Sequence, residues 1–149
     1  WGLKNIYGDA FHSFLVEPTH SPSVLTGIVT GEGAKICVQD IGLDNITEAD
    51  GLAVGRPSAF ATGISQKLVS GIYTIEDEKL DNLLRELYQT KQIFIEPSAT
   101  VGLVGPERVL QTEYLQSKNI LPENITHIAW ATGGSLMPQE LKDNLIWGS

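Results

Sequence analysis

At 149 residues, 42% hydrophobic and 19% charged, the chain is globular and large enough for one real core. A formal net charge of -8 argues against nucleic acid or an anionic membrane surface as partner, because both demand a basic face, and favours a small molecule. One cysteine, Cys37, excludes an intrachain disulfide and a cysteine-rich metal site; with no signal peptide and no apolar run long enough to span a bilayer, a reducing, cytoplasmic setting is expected.

In chain order, Trp1 to Tyr7 reads as the tail of a helix without a capping residue. Gly8-Asp9 is a turn, and His12 to Val16 is a short strand stopped by Glu17-Pro18, since Pro cannot continue a central strand. Ser21-Pro22 opens a helix whose apolar stripe is Val24, Leu25, Ile28 and Val29, closed by Gly31 to Gly33. Lys35 to Val38 is a short apolar piece, and Gln39 to Ile46 is polar loop. After Arg56-Pro57-Ser58 a helix runs through Phe60, Ile64 and Leu68 to Gly71. Ile72 to Ile75 is a β-rich run, and Thr74 with Asp77 has capping-box spacing before a helix. That helix carries Leu80, Leu83, Leu84, Leu87 and Tyr88 on one face. Gln92 to Ile95 is the next strand, and from Ser98 a helix of small residues and Val continues towards Gln111. Leu115 to Glu123 is a polar connection, His127 to Ala131 a last strand, and Pro138 to Leu145 a closing helix. Strands alternating with helices at these lengths predict an α/β fold: one open, mostly parallel sheet with helices on both faces.

The stretch Thr126 to Ser135 is the most pointed in the chain. Ile128 to Ala131 is apolar throughout, as in a parallel strand covered on both faces, and it stops on Thr132 and two glycines. Gly133 and Gly134 let the backbone turn sharply or pass close to a ligand, and in open α/β sheets ligands sit beyond the carboxyl ends of strands. The alternative is an ordinary turn with Thr132 as helix cap. Glu17-Pro18-Thr19 and Glu96-Pro97-Ser98 repeat a carboxylate at a strand end, then Pro and a hydroxyl residue at a helix start. Such a carboxylate anchors the following helix through backbone N–H groups, orients a ligand, or coordinates a cation. Gly51 after Asp50 either lets a flat ligand lie on the backbone or makes a turn.

Five blocks carry a family resemblance: Glu17 to Pro22, Val38 to Asn45, Ala49 to Arg56, Glu96 to Ala99, and Trp130 to Gly134. In this order and spacing they resemble the carboxyl-terminal third of the bacterial D-serine dehydratases, pyridoxal-phosphate enzymes of fold type II, with looser similarity to serine racemase and threonine deaminase. The resemblance runs from about Gly2 to the end. It implies β-elimination of water from D-serine, giving an aminoacrylate that hydrolyses to pyruvate and ammonia. It also implies that Thr132 bonds the pyridine nitrogen and keeps the ring neutral. Gly51 packs on one ring face, and Gly133 lines the same cofactor site. Glu17 becomes the carboxylate ligand of a cation, K⁺ or Na⁺, because oxygen ligands suit a hard ion.

The chain lacks other parts of that family's machinery. The Schiff-base lysine, the residues gripping the substrate carboxylate and the glycine-rich phosphate cup are expected upstream. Residues 1–149 are therefore expected to be part of the large, cofactor-binding domain, inactive alone and partnered by the upstream portion of the same enzyme. Lys4, Lys35, Lys67, Lys79, Lys91, Lys118 and Lys142 all sit in polar or helix-surface contexts, where a desolvated nucleophile is not expected. His12, His20 and His127 have no metal spacing, although His20 lies in the first block beside the expected cleft. The second reading is a non-enzymatic α/β small-molecule-binding or regulatory module that shares the strand-end geometry.

Overall fold

The computed structural model describes residues 1–148, which form two compact units, Trp1–Asp77 and Glu78 onward.

The first unit is built on two parallel strands, β1 (Phe14–Pro18) and β2 (Gly71–Ile75). Phe14 pairs with Gly71, Val16 with Tyr73 and Pro18 with Ile75. The bulky Phe, Leu, Val, Ile and Tyr of these runs suit a pleated, half-buried surface. Thr19 prolongs the ladder, because its backbone N–H and its hydroxyl both donate to the Ile75 carbonyl at 2.9 Å. Before β1 lies the short helix α1 (Gly2–Tyr7); between the strands lie α2 (Ser23–Thr30) and α3 (Ala59–Leu68). Gly31 ends α2 in the left-handed region, φ 75°, and Ser58 caps α3 by accepting from the Ala61 N–H. Val38, Ala49, Ile75 and Pro18 are the most deeply buried apolar side chains of this unit.

In the second unit, α4 (Leu80–Lys91) buries Leu80 and Leu84 fully and packs against α5 (Pro97–Thr100) and α8 (Gln139–Trp147). Tyr88 and Trp147 meet edge to face with ring centroids 6.0 Å apart, and Arg85 Nε donates to the Leu145 carbonyl at 2.8 Å. That bond satisfies one of the last-turn carbonyls of α8 that has no partner within its own helix. Two further short helices, α6 (Gly105–Leu110) and α7 (Tyr114–Ser117), add Val109 and Leu115 to the core.

Three expectations need correction. Among the described residues the sheet has two strands, not four: Gln92–Ile95 and His127–Ala131 are not strands. Both runs have β-rich composition, but a strand exists only where its N–H and C=O groups meet a partner, and neither run joins a ladder. Ile128 and Trp130, expected to be covered on both faces, are 70% and 73% exposed. The helix expected from Ser98 to Gln111 is divided into α5, a 3-10 stretch Val101–Val104, and α6. Pro106, in the first turn of α6, lacks the N–H that a continuous helix needs, so the ladder restarts there. Thr74 and Asp77 form no capping box. Thr74 sits in β2 opposite Glu17, and the Asp77 carboxylate accepts from the Thr47 hydroxyl at 2.6 Å and the Glu48 N–H at 2.7 Å.

The α/β class itself holds, with its strands parallel and α2 and α3 in the connection between them.

Candidate functional site

The first unit brings three of the five sequence blocks together at the carboxyl end of β1. Glu17, the last residue but one of that strand, turns its carboxylate to the first turn of α2: Oε1 accepts from the Val24 N–H and Oε2 from the Leu25 N–H, both at 2.8 Å. The helix dipole and the otherwise unpaired amides make that end a natural seat for a negative charge. Burial nevertheless pushes the Glu17 carboxyl above its ordinary value of 4.5, and the bonds from Leu25 and Val24 offset this only in part.

Beyond Glu17 the chain turns and reaches across to the second block. His20 Nδ1 donates to Asp44 Oδ1 at 2.8 Å, and Ser21 Oγ donates to Asn45 Oδ1 at 2.7 Å. The Ile46 N–H donates to the same Asp44 oxygen at 3.0 Å; that bond first, and His20 second, hold the Asp44 carboxyl below its ordinary value. The third block closes on the second, with the Val38 N–H donating to the Gly55 carbonyl at 2.8 Å. Gly51 lies in a tight 3-10 turn, Asp50–Leu52, and is exposed. Its neighbours are fixed: Ala49 is fully buried, and Ser21 Oγ lies 3.5 Å from the Leu52 carbonyl.

The second unit unites the other two blocks. Glu96 is the residue before α5, and its Oε1 accepts from Ser98 Oγ at 3.0 Å. Gly133 and Gly134 pass directly over it with φ of 74° and 103°. A Cβ on Gly133 would lie 2.5 and 2.7 Å from the two Glu96 carboxyl oxygens, and one on Gly134 would lie 2.7 Å from the Glu96 backbone nitrogen. Both positions therefore need glycine, for φ and for space. Glu96, Gly133, Gly134, Ser135, Leu136, Met137, Pro138 and Leu141 line a cavity of about 380 Å³. Thr132 is exposed at the start of this turn.

Of the residues singled out from sequence, Thr132 and Gly133 thus share one turn in the second unit, and Glu17 and Gly51 belong to connected blocks of the first. None of the seven lysines is buried. Among the described residues no group of three or more His, Cys, Asp and Glu is placed to hold a metal ion, and no helix is long and apolar enough to cross a membrane. Two relationships were not legible from sequence. Glu96 under Gly133 joins residues far apart in the chain, and the bonds of His20 and Ser21 span 24 residues each. The one local signal was Asn45, a residue that tolerates the left-handed region it occupies at φ 62°.

No family model matches the chain. A probable D-serine dehydratase from Bacillus cereus (strain AH187) is 50% identical over 144 residues, which is 95% of this chain and 32% of that protein. The resemblance read in the five blocks holds. The chain spans about a third of the length of the curated relatives it matches. Among solved structures, the processed form of threonine deaminase isoform 2 from Solanum lycopersicum superposes with a TM-score of 0.63 at 20% identity, covering 96% of this chain and 35% of that one. Serine racemase from Dictyostelium discoideum gives a TM-score of 0.55 at 20% identity, covering 78% and 34%. At those identities the likeness concerns the fold, which is that of part of these enzymes.

Proposed function

We propose that the chain is part of the large, cofactor-binding domain of a pyridoxal-phosphate lyase that converts D-serine to pyruvate and ammonia. The observation that carries the reading is 50% identity across 95% of the chain to a probable D-serine dehydratase, in which the five site blocks are distributed along the whole match. The features that support a flat aromatic cofactor are local to each unit. Thr132 offers an exposed hydroxyl, Gly133 and Gly134 leave no side chain at the turn beside it, and Gly51 presents bare backbone.

Pyridoxal phosphate, when bound, supplies the electron sink into which the electrons of the α-carbon flow while hydroxide leaves the β-carbon. This chain's residues bind and orient. Thr132 Oγ1 would hydrogen-bond the ring nitrogen, and as a neutral hydroxyl it would leave that nitrogen without a full positive charge. Gly51 would offer one ring face bare backbone, where any side chain would intervene, and Gly133 sets the path of the backbone beside Thr132. The lysine that binds the cofactor and moves the α-proton, and the cup for its phosphate, belong to the upstream portion of the same polypeptide. Elimination removes water to give 2-aminoacrylate, and hydrolysis of that product takes one water back to yield pyruvate and ammonia. The enzyme works in the cytoplasm on a free amino acid, with neither nucleic acid nor membrane as partner.

Glu17 is the proposed ligand of a monovalent cation, K⁺ or Na⁺. An ionised carboxylate has about four acceptor sites, and Val24, Leu25 and Ser23 already donate to this one, so a cation there would compete with the start of α2 for the same oxygens.

The test uses the full-length enzyme. Purified with pyridoxal phosphate, it is expected to show the absorbance of bound cofactor and to release pyruvate from D-serine faster than it releases pyruvate from L-serine or 2-oxobutanoate from L-threonine. A full-length protein that binds no pyridoxal phosphate, or binds it and leaves D-serine intact, would overturn the reading.

A further inference from the structure

The turn that displays Gly51 is exposed, yet it is held at both ends. On one side Ala49 is fully buried, and its N–H donates at 3.1 Å to the Thr47 hydroxyl, which in turn donates to Asp77. On the other side lies a pair of adjacent bonds. His20 reaches Asp44, Ser21 reaches Asn45, and the same Ser21 hydroxyl stands 3.5 Å from the carbonyl of Leu52. Ser21 is only 1% exposed, so its hydroxyl is a buried polar group with its partner supplied from the second block. Asn45 offers that partner from φ 62°, a region that costs a non-glycine residue free energy and persists only where the surroundings fix it. A glycine at 45 would remove the backbone cost, and an alanine at 21 would remove the need for a partner. The chain keeps both polar residues.

We propose that the Ser21–Asn45 bond, braced by His20–Asp44, positions the Gly51 turn as a wall of the cofactor site, which makes Ser21 and Asn45 positioning residues. The inference rests on the cofactor reading above. It assigns these two side chains an effect on how the cofactor is held, through the segment that runs from Asn45 to the buried Ala49 before the turn, with no contact of their own to the cofactor; the single Ser21 proton goes to Asn45, and the Leu52 carbonyl lies alongside.

Asn45→Gly in the full-length enzyme separates positioning from folding. It deletes the acceptor while leaving a residue that adopts positive φ freely, so the backbone relief and the lost partner of Ser21 oppose each other and the thermal midpoint of the apoenzyme should stay near the wild-type value. Cofactor affinity should fall roughly threefold to tenfold, the worth of about one hydrogen bond, and the absorbance band of the bound cofactor should shift. Asn45→Asp, which keeps an acceptor oxygen and tolerates the same φ, should restore both. Ser21→Ala should match Asn45→Gly, and the double variant should lose no more than either single one. If Asn45→Gly binds pyridoxal phosphate with wild-type affinity and spectrum, the positioning role is wrong while the cofactor reading stands. A wild-type enzyme that binds no cofactor overturns both. Equal losses in Asn45→Asp and Asn45→Gly would also overturn the positioning role.

Discussion

Replacing Gly133 by alanine tests the second-unit turn directly, because two independent costs are readable from the structure. The first is backbone: at φ 74° an L-residue with a Cβ costs roughly 1–2 kcal/mol relative to glycine. The second is space. The new methyl would stand 2.5 and 2.7 Å from the carboxyl oxygens of Glu96, well inside van der Waals contact. That carboxyl is the end of a side chain and can swing aside, at the cost of its 3.0 Å bond from Ser98, worth about 1 kcal/mol. The expected destabilisation of Gly133→Ala is therefore about 2–3 kcal/mol. Gly134→Ala should cost more. Its φ is 103°, and the clash is with the backbone nitrogen of Glu96 at 2.7 Å and the Ile95 Cα at 2.8 Å, neither of which can rotate away.

Equilibrium urea unfolding followed by circular dichroism, compared at constant slope, reads these differences. Glu96→Ala supplies the control. In that background the steric part is gone and only the backbone part remains, so Gly133→Ala should cost about 1 kcal/mol less than in the wild type, whereas the cost of Gly134→Ala should hardly change. If Gly133→Ala is within a few tenths of a kcal/mol of wild type, or if Glu96→Ala gives no relief, Glu96 does not lie under that turn.

Thr132→Ala in the full-length enzyme should weaken pyridoxal-phosphate binding about fivefold, since one hydrogen bond worth roughly 1 kcal/mol is lost, with the thermal midpoint of the apoenzyme unchanged; fluorescence titration of the cofactor checks it. Glu17→Gln keeps one acceptor oxygen but turns an NH₂ towards an amide of α2, so it should destabilise the fold by about 1–2 kcal/mol and also flatten the dependence of activity on K⁺ or Na⁺. The Glu17 carboxyl, raised above 4.5, makes its most favourable contribution below that pH and loses it as pH rises through the folded value; unfolding curves of wild type and Glu17→Gln across that window should diverge accordingly. Asp40 and Asp44 have the opposite sign. The Cys37 N–H bond first for Asp40, and the Ile46 N–H bond first for Asp44, hold them below 3.8, so their support is present above pH 3.8 and fades below it. Exchange of the Cys37 and Ile46 amide hydrogens should accelerate there beyond the intrinsic trend. The 149-residue chain alone, given pyridoxal phosphate and D-serine, should release no pyruvate, because none of its lysines is buried and no phosphate cup accompanies Gly133-Gly134.

Helices were the more legible part of the fold because their signals are local. The stripe of Leu80, Leu84 and Tyr88, the helix start after Ser58 and the Gly31 stop each lie within a few residues of the element they define, and each is found in place. Strands were legible only where the partner was present. Phe14–Pro18 and Gly71–Ile75 found each other; Gln92–Ile95 and His127–Ala131 have comparable composition and no ladder. Composition reports how well a segment suits a sheet, and pairing is a non-local fact. The candidate site divides in the same way. Thr132 and Gly133 stood out because a hydroxyl residue and a glycine end an apolar run, and Gly51 as a glycine after Asp50, whereas the bonds from His20 and Ser21 across to Asp44 and Asn45 leave in the local pattern only an Asn that tolerates positive φ.

The two Glu-Pro-hydroxyl motifs show how far a repeated pattern carries. Glu17 and Glu96 have the same sequence context, and the turn that follows gives each a different task. After Pro18 the residues 19–22 intervene before α2 begins at Ser23, long enough for the first turn of that helix to fold back over the strand end and place the Val24 and Leu25 amides on Glu17. After Glu96 no such residues intervene. Pro97 is already the first residue of α5, and Glu96 is its cap position at φ -69° and ψ 155°, with no bond from its side chain to the amides of its own helix. Its carboxylate turns instead to Ser98 Oγ and to the space under Gly133. The motif therefore specifies a carboxylate ahead of a helix, at a strand end for Glu17 and in an unpaired segment for Glu96, and the number of residues before the helix decides what that carboxylate holds. Four intervening residues give a helix anchor; none leaves the group beneath the Gly133-Gly134 turn that follows Thr132, which is why Glu96→Ala should alter the Gly133→Ala penalty while Glu17→Ala should not.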